Sequence, residues 1–159
     1  MATEFISLSA KDTLDNFTGE LRDKLDKAAR AGVIAAINTI RDKVKSSVSS
    51  ADFNTSSSKQ FGVPLIEGVR TYMEQGYPIG VTHILGNTKH NDGTWRLRFF
   101  EGGTQERVQK TTGRKTGSIS ARWFFGNSTS NADEIAQRLI DDRISKAIEE
   151  KKKKKTHYF

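Results

Sequence analysis

The sequence predicts an α+β fold, with an antiparallel sheet of three or four strands packed by one long N-terminal helix and a shorter C-terminal helix, and with a long extended loop. Three observations predict it: a helical apolar stripe near the start, alternating apolar segments in the middle, and a second helical stripe near the end. We expect a single domain over residues 1–150, with the loop over 103–118, and a basic tail over 151–159.

The first element is a short apolar stretch, Phe5 to Leu8, which indicates an edge strand. Apolar residues then recur at spacings of mostly three and four, and this pattern predicts an amphipathic helix from about Asp12 to about Ser49. At ~1.5 Å per residue, that helix is roughly 50 Å long, which is more than a small core covers. Gly32 in its middle indicates a kink, a close packing contact or simply a tolerated glycine.

The middle of the chain is predicted to form the sheet. Ser46 to Ser58, rich in Ser, Asn and Thr, is predicted to be a loop. Strands are predicted, on their apolar content and alternation, over Pro64 to Met73 with Gly68 as a bulge, Ile79 to Leu85, and Trp95 to Phe100. Turn sequences at 76–78 and 91–93 separate them.

The last third begins with a stretch of glycine, threonine and basic residues, Gly102 to Ser118, which is predicted to be a loop. Structureless loops of this length in compact domains are usually functional or disordered. The aromatic segment Ile119 to Phe125 follows, and Ser130 or Asn131 is predicted to cap a final helix. That helix runs into five consecutive lysines, whose mutual repulsion favours fraying.

The net charge of +7 comes from two segments. The lysines at 151–155 supply five positive charges, and residues 107–125 supply five more without an acid, which leaves −3 for the rest. A dedicated nucleic-acid-binding domain more often carries a basic face on its ordered elements. Apolar residues make up only 35% of the chain, which is low for a compact monomer and favours a fold completed by neighbours.

The residues needed for catalysis or metal binding do not occur in recognisable patterns. Cysteine is absent, and none of His83, His90 and His157 lies three or four residues from another histidine, so no metal site is expected. The Gly-Arg-Lys-Thr-Gly sequence at 113–117 lacks the spacing of a phosphate-binding loop. We therefore expect no cofactor and no enzymatic activity. No signal peptide or membrane-spanning stretch is apparent, so no membrane partner is expected.

Two segments remain unusual. In Arg98 to Thr104 a predicted strand ends in an acid followed by two glycines, which permit positive φ and close backbone approach. Trp123 to Phe125 form an aromatic cluster after the basic loop. The first segment can be a plain strand end and turn, and the aromatic cluster can be ordinary core residues. A third interpretation is that one or two of the rings face a neighbouring subunit.

The order of these segments, between a long N-terminal and a shorter C-terminal helix, resembles the tail-component family of long-tailed bacteriophages. These are the lambdoid gene-product-ten-like or minor-tail-protein-Z-like proteins, which act as tail-completion or neck proteins. Phe99 to Thr104 matches the family's aromatic-aromatic-Glu-x-Gly-Thr motif. Ala121 to Phe125 is similar to a later Pro-Phe-centred segment but lacks the proline, and Phe5 to Leu25 is similar to the family's strand-to-helix start. The polylysine end is not part of the pattern.

The resemblance implies a virion structural protein that forms a ring of six or twelve copies at the head–tail junction or tail top. Such a ring joins the tail to the portal, contacts portal, connector or tail proteins, and passes genomic DNA through its lumen without sequence recognition. The protein is then assembled in the bacterial host cytoplasm and located in the virion. The expected subunit or ring interface comprises Phe99, Phe100, Glu101, Gly102, Gly103, Thr104, Arg107, Lys110, Arg114, Lys115, Arg122 and Trp123. The expected contacts to DNA or a partner are Lys151, Lys152, Lys153, Lys154 and Lys155.

Two further expectations concern this interface. The loop Arg107 to Ser118 should order only on assembly, and Glu101 should form a salt bridge with a basic loop residue of its own or a neighbouring subunit. One alternative function is a nucleic-acid-binding accessory protein that uses the basic loop and the lysine tail, with strongly salt-dependent binding to phosphates. Another is a small nuclease, which needs clustered acids or a histidine pair that the sequence does not show.

Overall fold

The computed structural model describes residues 2–51, 62–87 and 92–156, and side chains within 18–51, 62–87 and 92–151 and at 153. Its helices are α1 (Ala2–Ser50), α2 (Leu97–Gly102), α3 (Phe124–Thr129) and α4 (Ala132–Thr156). Its strands are β1 (Arg70–Met73), β2 (Gly80–His83), β3 (Thr104–Val108) and β4 (Lys115–Ile119), and short 3₁₀ turns cover Leu65–Gly68 and Thr94–Arg96.

The predicted α+β class, with a long N-terminal and a shorter C-terminal helix, is confirmed. The strands, however, form two antiparallel sheets of two strands each rather than one sheet. In the first sheet Arg70 of β1 pairs with His83 of β2. In the second, Thr104 of β3 pairs with Ile119 of β4, and irregular register follows along the hairpin.

Helix α1 is longer than predicted. It begins at Ala2, so the edge strand predicted at Phe5 to Leu8 is wrong; short apolar runs of this kind do not distinguish strand from helix by periodicity. It ends at Ser50, close to the predicted end, and takes in the start of the stretch predicted as a loop. The rest of that loop, at 52–58, lies outside the described residues, as do His90, Asn91 and His157.

Helices α1 and α4 pack antiparallel along much of their length. Lys43 donates a hydrogen bond to the side chain of Asn131 at one end, and Glu20 forms a salt bridge with Lys151 at the other. Between them Gly32 is buried, and a Cβ atom there would lie 2.7 Å from the Cα of Ile140. Gly32 is therefore a close packing contact, which was one of its predicted roles.

The core lies at the C-terminal half of α1. Side chains from α1, the two turns and the short elements after them form one buried cluster, which comprises Ile40, Val44, Val48, Leu65, Val69, Ile84, Leu97 and Phe124. The hydroxyls of Ser47 and Ser128 hydrogen-bond at 2.6 Å and hold α3 against α1. The β1–β2 hairpin lies on the same helix, because a Cβ on Gly80 would lie 2.5 Å from the Ile37 side chain.

The strand predicted over Trp95 to Phe100 is wrong, because a local network bends the chain there. Asp92 accepts hydrogen bonds from the backbone N–H and the hydroxyl of Thr94, at 3.0 and 2.6 Å. Asn87 N–H donates to the same hydroxyl, and Thr94 is fully buried. A 3₁₀ turn and α2 follow, and they bury Leu97 completely.

Gly68 does not form a bulge within a strand. It ends a 3₁₀ turn, and β1 begins only at Arg70, so the strand is shorter than the one predicted from Pro64. A Cβ on Gly68 would lie 2.8 Å from the carbonyl oxygen of Thr94. The glycine is therefore needed for close backbone approach to the Thr94 turn.

The extended segment predicted over 103–118 projects from the body, but it is a β-hairpin rather than a structureless loop. Gly113 N–H donates to the carbonyl of Gln109 at 2.8 Å, and Gln109 N–H donates to that of Arg114 at 2.9 Å, so the turn closes on its own hydrogen bonds. The segment thus has regular structure, with β3 paired to β4, and the expectation that it orders only on assembly stays a prediction.

Helix α4 confirms the predicted C-terminal helix. It begins at Ala132, next to the predicted cap residues, and Ile135 N–H donates to the carbonyl of Asn131. Its backbone remains helical through the lysines to Thr156 instead of ending before them.

Candidate assembly interface

The segment Phe99 to Thr104 joins α2 to the β3–β4 hairpin, and Glu101 is its central residue. The two carboxylate oxygens of Glu101 accept hydrogen bonds from the N–H groups of Phe125 and Gly126, at 2.8 and 2.9 Å. These are N–H groups of the first turn of α3, which lack partners inside the helix. Glu101 therefore caps a helix that begins more than twenty residues later.

Glu101 was expected to form a salt bridge with a basic loop residue of its own chain or of a neighbouring subunit. Within the described part of the chain it forms none, and its two carboxylate oxygens instead accept hydrogen bonds from backbone N–H groups. A salt bridge to a neighbouring subunit stays a prediction. The backbone reinforces the same contact: Arg122 N–H donates to the carbonyl of Phe100 at 2.8 Å, and Trp123 N–H donates to that of Glu101 at 3.3 Å. The motif thus fixes the aromatic segment to α2.

Gly103 and Thr104 form the base of the hairpin. Gly103 has φ 71°, and a Cβ there would lie 2.8 Å from both the backbone nitrogen of Ala121 and the carbonyl oxygen of Ile119. Only glycine fits this position without strain. The Thr104 hydroxyl accepts a hydrogen bond from Ile119 N–H at 3.0 Å. Gly102 is exposed, and a Cβ there would meet nothing within 4 Å.

Phe99 and Phe100 have different surroundings. Phe100 packs partly buried against the core. The Phe99 ring meets Trp95 edge to face at 5.5 Å, and the guanidinium groups of Arg98 and Arg107 lie 5.1 and 5.3 Å from its centre. Phe99 therefore links the α2 aromatics to the first basic residue of the hairpin through cation–π contacts.

Trp123 is the most unusual of the predicted interface residues. Its φ of 51° lies in the left-handed region, which is an outlier for a bulky side chain. It immediately precedes α3, and its side chain is 59% exposed. The Glu101 cap and the two backbone hydrogen bonds hold the chain in this conformation. A largely exposed indole ring thus stands on a backbone held by hydrogen bonds, next in sequence to the exposed Arg122.

The remaining basic residues of the predicted interface lie along the hairpin. Arg107, Lys110, Arg114 and Lys115 are all exposed, and Lys115 forms a salt bridge of 3.3 Å with Glu106. Over Thr104 to Ile119 the hairpin carries four basic residues and one acid, a net charge of +3. The strands β3 and β4 pack mainly against each other, and much less against any other described helix or strand.

The lysine tail lies elsewhere. Lys151 is largely buried, with 16% of its side chain exposed, and its 2.8 Å salt bridge lowers the pKa of Glu20. Lys153 is exposed, and the side chains of Lys152, Lys154 and Lys155 lie outside the described residues. Glu20 and Ser47, where α3 docks, are about 40 Å apart along α1 at ~1.5 Å per residue. The two basic groups therefore do not form one surface.

An acidic face of α4 was not predicted as part of the interface. Six exposed residues line it, and they are Asp133, Glu134, Gln137, Arg138, Asp141 and Asp142. Their spacing of four and eight residues places them on one side of the helix. The segment from 132 to 142 carries a net charge of −3. The spacing is visible in the sequence, but only the structure shows that this side of α4 faces solvent.

Apolar surface is also left uncovered. The apolar side chains along the outer part of the α1–α4 pair, including Leu21, Leu25 and Ile144, are only half-buried. On the β1–β2 hairpin Tyr72 is 49% exposed, and Tyr77 and Ile79 at its turn are 64% and 48% exposed. Among the described residues, the outer part of the α1–α4 pair and the β1–β2 hairpin therefore both leave apolar surface exposed.

No group of three or more histidine, cysteine, aspartate or glutamate residues within 18–51, 62–87 and 92–151 could hold a metal ion. Partial burial and the nearby charge of Arg70 lower the pKa of His83. The Nδ1 atom of His83 accepts a hydrogen bond from Leu85 N–H at 3.2 Å, which is a structural role.

No helix in the described part of the chain is long and apolar enough to cross a membrane. The chain matches no protein-family model, no curated protein and no solved structure.

Proposed function

We propose that this chain is a structural subunit of a bacteriophage tail-completion or neck ring, as its resemblance to the tail-component family implies. Copies of the chain surround a lumen through which genomic DNA passes, and the ring joins the tail to portal or connector proteins. In this proposal the chain is not an enzyme and binds no cofactor, and its place is the virion after assembly in the host cytoplasm.

The observation that carries the proposal is the amount of ordered surface without a partner. The β3–β4 hairpin is held by its own hydrogen bonds and by the Glu101 and Gly103 contacts at its base, yet Gln105 to Ser118 are exposed throughout. Exposed apolar side chains occur separately on the β1–β2 hairpin and beside the α1–α4 seam. A subunit of a closed ring uses two different surfaces, one for each neighbour.

The structure of the motif also supports the proposal. Glu101, Gly103 and Thr104 each have a defined role in holding the hairpin and Trp123 outward. A strained, exposed tryptophan at the foot of a projecting hairpin is well placed as an interface anchor, since tryptophan is enriched among residues that dominate binding energy.

A second candidate is a nucleic-acid-binding accessory protein. The exposed basic hairpin with Trp123 at its foot favours this candidate, because phosphates need only positive charge and bases stack on aromatic rings. The separation of the hairpin from Lys151, and the pairing of Lys151 with Glu20, weigh against one continuous binding surface. Titration with duplex DNA at rising salt separates the two, since the ring proposal expects weak binding that is lost near physiological salt.

The proposal is tested by finding where the protein resides. In purified particles made from the genome that encodes this chain, quantitative mass spectrometry should detect it at six or twelve copies per particle. Particles made without it should contain heads and tails that fail to join. Absence of the chain from particles with complete tails, or a copy number in the hundreds, would contradict the ring.

A further inference from the structure

We propose that the basic β3–β4 hairpin of one copy docks on the acidic face of α4 of a second copy. The acidic face comprises Asp133, Glu134, Gln137, Arg138, Asp141 and Asp142. This inference rests on the proposed function, and it names the contact that would join one subunit of the ring to the next.

Charge is the first argument. The hairpin over Thr104 to Ile119 carries a net charge of +3, and residues 132–142 of α4 carry −3. Complementary potentials of this kind steer association and fix its register. Lys110, Arg114 and the acids of the α4 face form no salt bridge with any residue in 18–51, 62–87 or 92–151.

Geometry is the second argument. The acidic face extends over ten residues of helix, from Asp133 to Asp142, and the nine steps between its ends span about 14 Å at ~1.5 Å per residue. A five-residue strand spans about 13 to 17 Å at ~3.3 Å per residue. The two surfaces thus match in length as well as in charge. Within one chain β3 and β4 pack mainly with each other, so the hairpin is available to another copy.

The contact is heterologous, because the two surfaces that meet are different. Each subunit then presents one hairpin and one acidic face, and repetition closes a ring when the rotation between subunits permits. DNA is the competing occupant of the hairpin, but it accounts for only one of the two surfaces. A second copy accounts for both.

Charge reversal tests the contact in the full-length protein. One variant carries Lys110→Glu and Arg114→Glu, and the other carries Asp141→Lys and Asp142→Lys; all four positions are exposed, so folding is kept. By sedimentation at low salt, each variant alone should self-associate at least about tenfold more weakly than wild type. An equimolar mixture should recover wild-type association to within about threefold, because each hairpin then meets a face of opposite charge. Asp23→Lys with Asp26→Lys, exposed on α1, is the matched control and should leave association unchanged.

A direct readout accompanies the variants. A zero-length carbodiimide cross-linker applied to mixed ¹⁴N- and ¹⁵N-labelled wild-type chains should join Lys110 or Lys115 to an acid of α4, with one peptide of each label. Monomeric wild type at every concentration, reversed variants that associate like wild type, a mixture that does not recover, or cross-links within one label only would each overturn the docking. So would a hairpin variant that loses duplex DNA binding while its self-association is unchanged. The ring proposal fails separately, when the chain is missing from particles.

Discussion

Replacing Gly32 with alanine is the sharpest test of the α1–α4 packing. A glycine-to-alanine change usually stabilises a helix, but at Gly32 it should destabilise the protein. In the exposed interior of a helix, alanine is more stable than glycine by about 1 kcal/mol. At Gly32 the added Cβ would lie 2.7 Å from the Cα of Ile140 and 3.2 Å from the carbonyl oxygen of Leu139. Both atoms belong to the backbone, so the two helices must move apart.

The magnitude follows from two terms. Overpacking of a tight site costs about 1 to 3 kcal/mol, and the helix-propensity gain offsets about 1 kcal/mol of it. We expect Gly32→Ala to lower the free energy of unfolding by about 1 kcal/mol. Gly19 in the same helix is the matched control, since it is exposed and a Cβ there meets nothing within 4 Å. Gly19→Ala should raise the free energy of unfolding by about 0.5 to 1 kcal/mol.

Thermal and urea unfolding followed by circular dichroism measure both variants. For a chain of this size the two should differ in Tm by about 4 to 8 °C, with Gly19→Ala above wild type and Gly32→Ala below it. If Gly32→Ala were as stabilising as Gly19→Ala, the close approach of α1 and α4 would be wrong.

Three other predictions test individual contacts. Glu101→Ala should lower the free energy of unfolding by about 2 kcal/mol, because two charge-assisted hydrogen bonds are lost. The exposed control Glu106→Ala should change it by less than about 0.5 kcal/mol, and equal effects of the two variants in urea unfolding would refute the cap. Gly103→Ala should reduce the melting temperature while Gly102→Ala should not, since only Gly103 has positive φ and a crowded Cβ position; equal melting temperatures would refute the strain at the hairpin base. Burial raises the pKa of Asp92, but hydrogen bonds from Thr94 and the charge of Arg70 outweigh it and lower the pKa below 3.8. The resulting stabilisation is present above that value and is lost as pH falls through the folded-state pKa, so the stability difference between wild type and Asp92→Asn should shrink in acid, and a difference independent of pH would contradict this.

The parts of the fold that sequence reasoning predicted are those set by local pattern. The apolar stripes of α1 and α4 extend over many turns, and their spacing of three and four residues has no other regular interpretation. The β1–β2 hairpin is marked by its turn sequence. These elements depend on residues close to one another in the chain.

The segment from Trp95 to Phe100 shows where local pattern is insufficient. Trp95 to Phe99 alternate apolar and basic residues, which suits a strand, yet the segment forms a 3₁₀ turn and α2. The outcome is decided by Asp92, which fixes Thr94, and by the burial of Leu97 against residues distant in sequence. Neither interaction is visible in the alternation itself.

The candidate site was predicted in part. The sequence singled out the motif around Glu101 and the aromatic cluster, and the structure brings them together. The role of Glu101 was not predictable, because its partners are backbone N–H groups 24 and 25 residues away. The hairpin was missed because its strands have almost no apolar alternation and are held by turn hydrogen bonds instead.

The proposed ring is tested most directly by an averaged electron microscopy image of the particle, with a label attached to the chain after Phe159. A ring of six or twelve labelled densities around the DNA path, where head meets tail, is the predicted result. Label that is missing from that position, or that occurs as an isolated copy away from the DNA path, would contradict the account.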